Sequence, residues 1–162
     1  MTQAHTHDSN GLSQNWLSLV VFRIVVIGGG SLIGTITAPG AWYAGLDKPP
    51  FNPPNWIFAP VWTALYIAIA IAGWRLWKLD RQSLPMKLWF AQLAVNWLWS
   101  PVFFRLEMLW VAFFVLSVMW LLILGVIVTA WRKDNAASVL MLPYLGWVSF
   151  AGLLNASVAW LN

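Results

Sequence analysis

The stretch WYAGLDKPPFNPPNWIFAPVWTALY, Trp42–Tyr66, decides how the rest of the chain is read. Pro49, Pro50, Pro53 and Pro54 fix φ and carry no backbone N–H, so the segment they occupy suits neither a helix interior nor a sheet and is expected to be a stiff, extended connector. Pro60 falls where a helix can start, because first-turn N–H groups have no intrahelical acceptor. The stretch thus divides into a rigid loop and the beginning of a helix. A rigid loop loses little entropy when it closes on a ligand.

On both sides of this stretch the chain is apolar. Of its 162 residues, 60% are hydrophobic and 9% are charged, and the mean hydropathy is +0.71. A soluble domain carries about 25% charged residues, so this chain lacks an adequate water-facing surface and its partner is the lipid bilayer. The absence of cysteine removes disulfides, thiol nucleophiles and zinc–thiolate sites together. A net charge of +4 would suggest nucleic acid in a soluble protein. Here the basic residues sit at the ends of apolar runs, where they anchor helices, and no nucleic-acid partner is expected.

A helix needs about 20 apolar residues to cross a bilayer. Five stretches approach that length: 16–38, 56–77, 88–104, 108–131 and 138–161. They predict an all-α integral membrane protein, a five-transmembrane-helix bundle forming one domain over residues 16–162. A polar, disordered tail is expected at 1–15 and a loop at 39–55. The third stretch is short and ends around Pro101. Gly30 and Gly34, four residues apart, would let a neighbouring backbone approach closely, and Ala64, Ala68 and Ala72 form a second small-residue stripe. Arg75, Lys78, Arg81, Lys87, Arg132 and Lys133 fall on one side, with Arg23, against Lys48 and Arg105 on the other. The positive-inside rule then puts the N-terminus in the cytoplasm and the Pro-rich loop outside.

Acid–base and metal chemistry have little to work with in the spans. His5 and His7 lie in the tail, and Asp8, Asp47, Asp80, Glu107 and Asp134 lie in the tail or loops. A proton relay needs an intramembrane Asp, Glu or His, and haem iron needs an axial ligand, for which Met119 is the obvious mid-span candidate. No metal site and no required cofactor are expected. The polar groups within the spans are Gln92, Asn96 and Ser100, on one face of the third helix. Such a stripe must turn inward, since an unsatisfied polar group in lipid costs ~2–7 kcal/mol, and it serves as interhelical glue or as ligand contact. Trp62 and Tyr66 share a face, as do Trp147, Ala151 and Asn155, and the small Ala151 leaves room beside them. Trp16, Trp56, Trp77, Trp89, Trp110, Trp131 and Trp160 sit near span ends, where an aromatic belt is expected. Trp62, Trp97, Trp99, Trp120 and Trp147 lie deeper, as core packing or as pocket lining.

Three ordered blocks resemble the TspO/MBR family. They are the WY, KP, NPP, PVWT and LY elements of Trp42–Tyr66, WFAQLAVNWLWSPVFF at Trp89–Phe104, and PYLGW followed by AGLLN within Pro143–Asn155. The resemblance implies a five-helix bundle, usually a homodimer, whose first loop closes over a pocket. It implies a lid at Trp42, Tyr43 and Pro53, a pocket of Trp62, Asn96, Trp147, Ala151 and Leu154, and neighbouring contacts from Phe58, Tyr66 and Gln92. Implied ligands are porphyrins or haem, sterols and isoquinoline or benzodiazepine compounds. The function that follows is a multi-pass receptor or sensor of tetrapyrroles in a bacterial cell membrane. The alternatives are light-dependent degradation of protoporphyrin, with Trp62 and Trp147 as the catalytic residues, and transport of porphyrin-like compounds. The chain departs from the family at Pro50, where many members carry an aromatic, and at Phe150, which is small in some relatives. Tyr144 is followed by no Lys or Arg, which removes the proposed sterol consensus.

Overall fold

Helices satisfy their own backbone hydrogen bonds, as lipid requires of any spanning segment, and every regular element among the described residues is helical. The computed structural model describes residues 9–162, with side chains from Trp16 onward. His5, His7, Asp8 and most of the expected tail lie outside the described residues. Helix α1, Ser9–Arg23, begins before Trp16, so Ser9–Asn15 is helical where a disordered tail was expected. A π-helical turn, Ile24–Gly28, joins it to α2, Gly29–Ile36. Dihedrals stay helical across both joins, φ −64° and ψ −46° at Arg23 and φ −64° and ψ −47° at Gly28, so residues 9–36 form one rod with a widened turn.

The connector is less extended than its prolines imply. Helix α3, Ala41–Gly45, occupies its first part, where no proline intervenes, and a 3₁₀ turn at Asn55–Ile57 leads into α4, Phe58–Leu79. Helices α5, Leu84–Phe104, α6, Leu109–Ala130, and α7, Asn135–Leu161, complete the chain. Pro85 lies in the first turn of α5, where its missing N–H does no harm. Pro101 is absorbed inside the helix instead of ending it. The Asp134 side chain caps α7 by accepting the Ala137 N–H at 3.0 Å.

Four rods are long and apolar enough to cross a membrane: Trp16–Ile36, Asn55–Leu79, Leu109–Ala130 and Asn135–Leu161. The expected fifth span does not reach that apolarity. Its helix α5 has 21 residues, enough for about 31 Å, but it carries Gln92, Asn96, Ser100, two prolines and three indoles. Those polar groups are turned inward. Gln92 and Asn96 are buried, and Ser100 shares a hydrogen bond with Thr37 at the end of α2. The rods close into a ring: α1 lies on α4, α4 on α7, α7 on α6, α6 on α5, and α5 returns to α2.

Packing is aromatic against small residues. Trp89 is 1% exposed, and its indole N–H donates to the Ile69 carbonyl at 3.0 Å, so it belongs to the core and not to the aromatic belt expected from its position. Gly73 lies beneath it; a Cβ there would come within 2.4 Å of the ring. Gly30 is covered in the same way by Tyr66, whose ring would lie 2.3 Å from a Cβ, and Gly29 by Trp97, at 2.4 Å. Gly34 faces open space. The Gly30/Gly34 pair therefore seats one aromatic side chain and not a neighbouring backbone. The Ala64, Ala68 and Ala72 stripe also divides, with Ala72 buried and Ala64 exposed. Trp16, Trp56, Trp110, Trp131 and Trp160 are exposed near rod ends, as an interfacial belt requires.

Gly30→Ala and Gly73→Ala should each destabilise the protein by about 1–3 kcal/mol through overpacking, while Gly34→Ala should be neutral or slightly stabilising. Thermal melting in detergent distinguishes them, and equal melting of Gly30→Ala and Gly34→Ala would contradict the assigned packing.

Candidate functional site

The polar face of α5 meets the aromatic face of α4 at the centre of the ring. Tyr66 Oη donates to Asn96 Oδ1 at 3.4 Å, and Asn96 Nδ2 donates to Tyr144 Oη of α7 at 2.8 Å. Tyr144 Oη in turn donates to Met119 Sδ of α6 at 3.2 Å. One amide therefore links α4, α5 and α7, and the phenol beyond it reaches α6. Trp62 leans over this chain, its ring 5.3 Å from Tyr66 and 6.2 Å from Tyr144. One turn along α5, Gln92 is fully buried, and neither end of its amide has a hydrogen-bond partner in the protein. Such a group costs several kcal/mol unless something supplies the missing bonds, on the order of 1–3 per atom.

Phe58 packs edge-on against Trp147 at 5.9 Å, and Trp147 stacks at a tilt on Phe150 at 5.6 Å. Ala151 is half-buried against the same core and Leu154 is buried. A second amide works nearer the loop end, where Asn155 Oδ1 accepts from the Trp99 indole at 3.3 Å and Asn155 Nδ2 donates to the Leu109 carbonyl at 2.9 Å.

Trp42 and Tyr43 stand apart from Trp62 and Asn96. They pack on the C-terminal end of α5, with Phe103 6.0 Å from each ring and Phe104 5.3 Å from Tyr43. Burial pushes the Tyr43 phenol above its ordinary value of 10.0. The Lys48 ammonium lies 4.7 Å over the Tyr43 ring and donates to the Leu46 carbonyl at 2.9 Å. Pro53 lines a cavity of about 510 Å³ within the connector, together with Tyr43, Lys48, Asn52 and Asn55. The connector is fastened to α7 by Asn162, whose Oδ1 accepts the Asp47 N–H and whose Nδ2 donates to the Asp47 carbonyl, both at 3.1 Å.

The structure thus gathers Trp62, Tyr66, Asn96 and Gln92 into one centre and Phe58 with Trp147 beside it, and it places Trp42, Tyr43 and Pro53 in the connector. Tyr144 joins the centre although it was not a site candidate, and Met119, considered only as an iron ligand, joins it as the acceptor of the Tyr144 hydroxyl. Tyr144 lies three residues before Trp147, on the same helical face, which is the signal that could have found it. Among the described residues no three His, Cys, Asp or Glu side chains converge. What the centre offers a ligand is aromatic faces, amides and phenols.

The TspO/MBR family model matches residues 20–161. Among curated relatives, protein CrtK of Rhodobacter capsulatus is 38% identical, over 90% of this chain and 95% of its own. The tryptophan-rich sensory protein of Cereibacter sphaeroides is 34% identical, over 93% and 95%. The translocator protein of Ovis aries is 38% identical, over 86% and 87%.

Asn96→Leu keeps the volume of the side chain and removes its hydrogen bonds, so it should cost about 1–3 kcal/mol by stranding buried phenols. Tyr66→Phe, which loses one long bond, should cost well under half as much. Thermal melting of the two variants reads the difference, and an Asn96→Leu protein that melts with the parent would remove Asn96 as the link between helices.

Proposed function

Because the chain belongs to the TspO/MBR family, we propose that it is a membrane receptor or sensor that binds porphyrins or related tetrapyrroles among α4, α5 and α7. The observation that carries this reading is the Gln92 amide, buried with both ends unbonded, one turn from Asn96 and its aromatic partners. A flat aromatic ligand bearing ring nitrogens could stack on indoles and supply both a donor and an acceptor to that amide. The names of the relatives, sensory protein and translocator protein, accord with a binding function. Sterols and isoquinoline or benzodiazepine compounds share an apolar, largely flat surface and are secondary candidates.

A second reading, light-dependent porphyrin degradation, draws on Trp62. Its ring lies against two phenols, Tyr66 and Tyr144, and all three side chains are oxidisable. One experiment separates the readings. Protoporphyrin titrated into the purified protein should quench tryptophan fluorescence saturably, with weaker binding in Asn96→Leu and Trp147→Phe. Absence of saturable quenching in the parent would overturn the tetrapyrrole reading. Illumination of the same samples should leave bound pigment intact if the protein only binds. Faster bleaching in the parent than in Trp62→Phe and Trp147→Phe would replace the receptor reading with the enzymatic one.

The proposed topology has five crossings, with α5 spanning as a member of the ring and its polar face turned inward, the N-terminus in the cytoplasm and the connector outside. The charge asymmetry of the loops supports it. Since the chain has no cysteine, single cysteines introduced in place of Asp47 and Lys133 report sidedness directly. In intact cells an impermeant maleimide should label the first and spare the second. The reverse pattern would invert the topology, and labelling of both or neither would remove the fifth crossing.

A further inference from the structure

The ring has two chemically different ends. At one, Lys48 and Arg105 are matched by Asp47 and Glu107. At the other, where α4 and α6 finish and α5 and α7 begin, Arg75, Lys78, Arg81, Lys87, Arg132 and Lys133 face Asp80 and Asp134, an excess of four positive charges. The three-dimensional arrangement concentrates this excess. Arg75 Nε donates to both Asp134 carboxylate oxygens at 3.0 Å, the only ion pair among the described residues. Asp134 also caps α7, and its side chain is 12% exposed. The carboxylate is thereby withdrawn from the surface, and the last turns of α4, which lead into the α4–α5 turn, are tied to the α6–α7 turn.

Two cations are held in place by indoles. Lys78 Nζ lies 4.7 Å over the Trp74 ring, and the Arg81 guanidinium lies 4.7 Å over the Trp77 ring. Both indoles are themselves fixed. Trp74 Nε1 donates to Ser18 Oγ at 3.2 Å, and Trp77 packs edge-on against Phe22 at 5.8 Å and Phe90 at 6.3 Å. Lys78, Arg81, Lys87, Arg132 and Lys133 are all exposed. Asp80 is the one remaining carboxylate at this end, and it accepts the Gln82 N–H at 2.9 Å.

We infer that the joined α4–α5 and α6–α7 turns form a binding surface for the phosphate headgroups of anionic phospholipids. Indoles prefer the headgroup level of a bilayer, so cations stacked on Trp74 and Trp77 at the ends of apolar rods lie in the plane where lipid phosphates lie. The surface faces that plane with five exposed cations, and the ion pair beneath keeps its two turns in register. Each cation near an anionic leaflet contributes about fivefold to the preference. The opposite end, with its balanced charges, has no such preference.

The test uses the full chain in nanodiscs of equal parts phosphatidylcholine and phosphatidylglycerol, extracted gently, with retained lipids identified by mass spectrometry. The parent should retain phosphatidylglycerol preferentially, and high salt should erase the preference. A Lys78→Gln/Arg81→Gln protein should lose roughly 25-fold of it, while Lys78→Arg/Arg81→Lys, which keeps the charges, should retain it. Excess inorganic phosphate should not displace the lipid; displacement would mean a free-anion site and would overturn the inference. So would equal retention of both lipids by the parent, or equal enrichment in the neutralised and charge-conserving variants.

Discussion

An amide in an apolar interior cannot leave its ends unbonded without a cost of several kcal/mol, and Asn96 answers that constraint by bonding two different helices. Its oxygen accepts from a phenol of α4 and its nitrogen donates to a phenol of α7, whose own O–H donates to a sulfur on α6. Hydrogen bonds between membrane helices average only about 0.6 kcal/mol each. Their effect is therefore selective more than cohesive: rotation of α4, α5 or α7 about its axis would break a bond whose groups have no water to turn to. The depth and facing of Trp62 and Tyr66 follow from that choice.

Cohesion comes from the contact of rings with small residues. Tyr66 can reach Asn96 because Gly30 has no side chain in its way, and Trp89 can bury its ring and bond the Ile69 carbonyl because Gly73 leaves room. The widened turn in the first rod brings Gly29 and Gly30 against Trp97 and Tyr66, so the same segment seats two aromatics of neighbouring helices. Polar satisfaction at Asn96 and close packing at Gly30 are thus a single arrangement seen from two sides. Gln92 and the Trp97 indole N–H are exceptions within it, buried like Asn96 without its hydrogen-bond partners.

The two ends of the ring are held by different chemistry. At the basic end the Arg75–Asp134 pair joins two turns and leaves cations on the surface. At the connector end, Asn162 imitates a backbone partner for Asp47, Arg105 donates to the Ile36 carbonyl, and the aromatic rings of Trp42 and Tyr43 settle on Phe103 and Phe104. The prolines stiffen the connector, but its position is set by these contacts. Movement of the connector away from the helices would have to release the Asn162 clasp and the ring contacts together.

Composition and hydropathy alone determined that this is an all-helical membrane protein with its polar stripe on α5 turned inward, because exclusion of polar groups from lipid acts on each segment wherever its neighbours are. Four apolar rods were legible for the same reason. The apolarity of α5 was overestimated, since inside the ring it is the neighbouring helices, and not lipid, that its amides meet. Position within a helix placed Trp89 in a belt and paired Gly30 with Gly34; only the ring order revealed that Trp89 is core and that Gly30 alone of the two is covered. Trp62, Tyr66 and Asn96 could be put on the right faces from periodicity, whereas Tyr144 and Met119 could not be joined to them. Periodicity gives the direction of a side chain within its own helix, but which group it meets depends on the rotation and neighbours of a second helix, and those are decided only when the bundle packs.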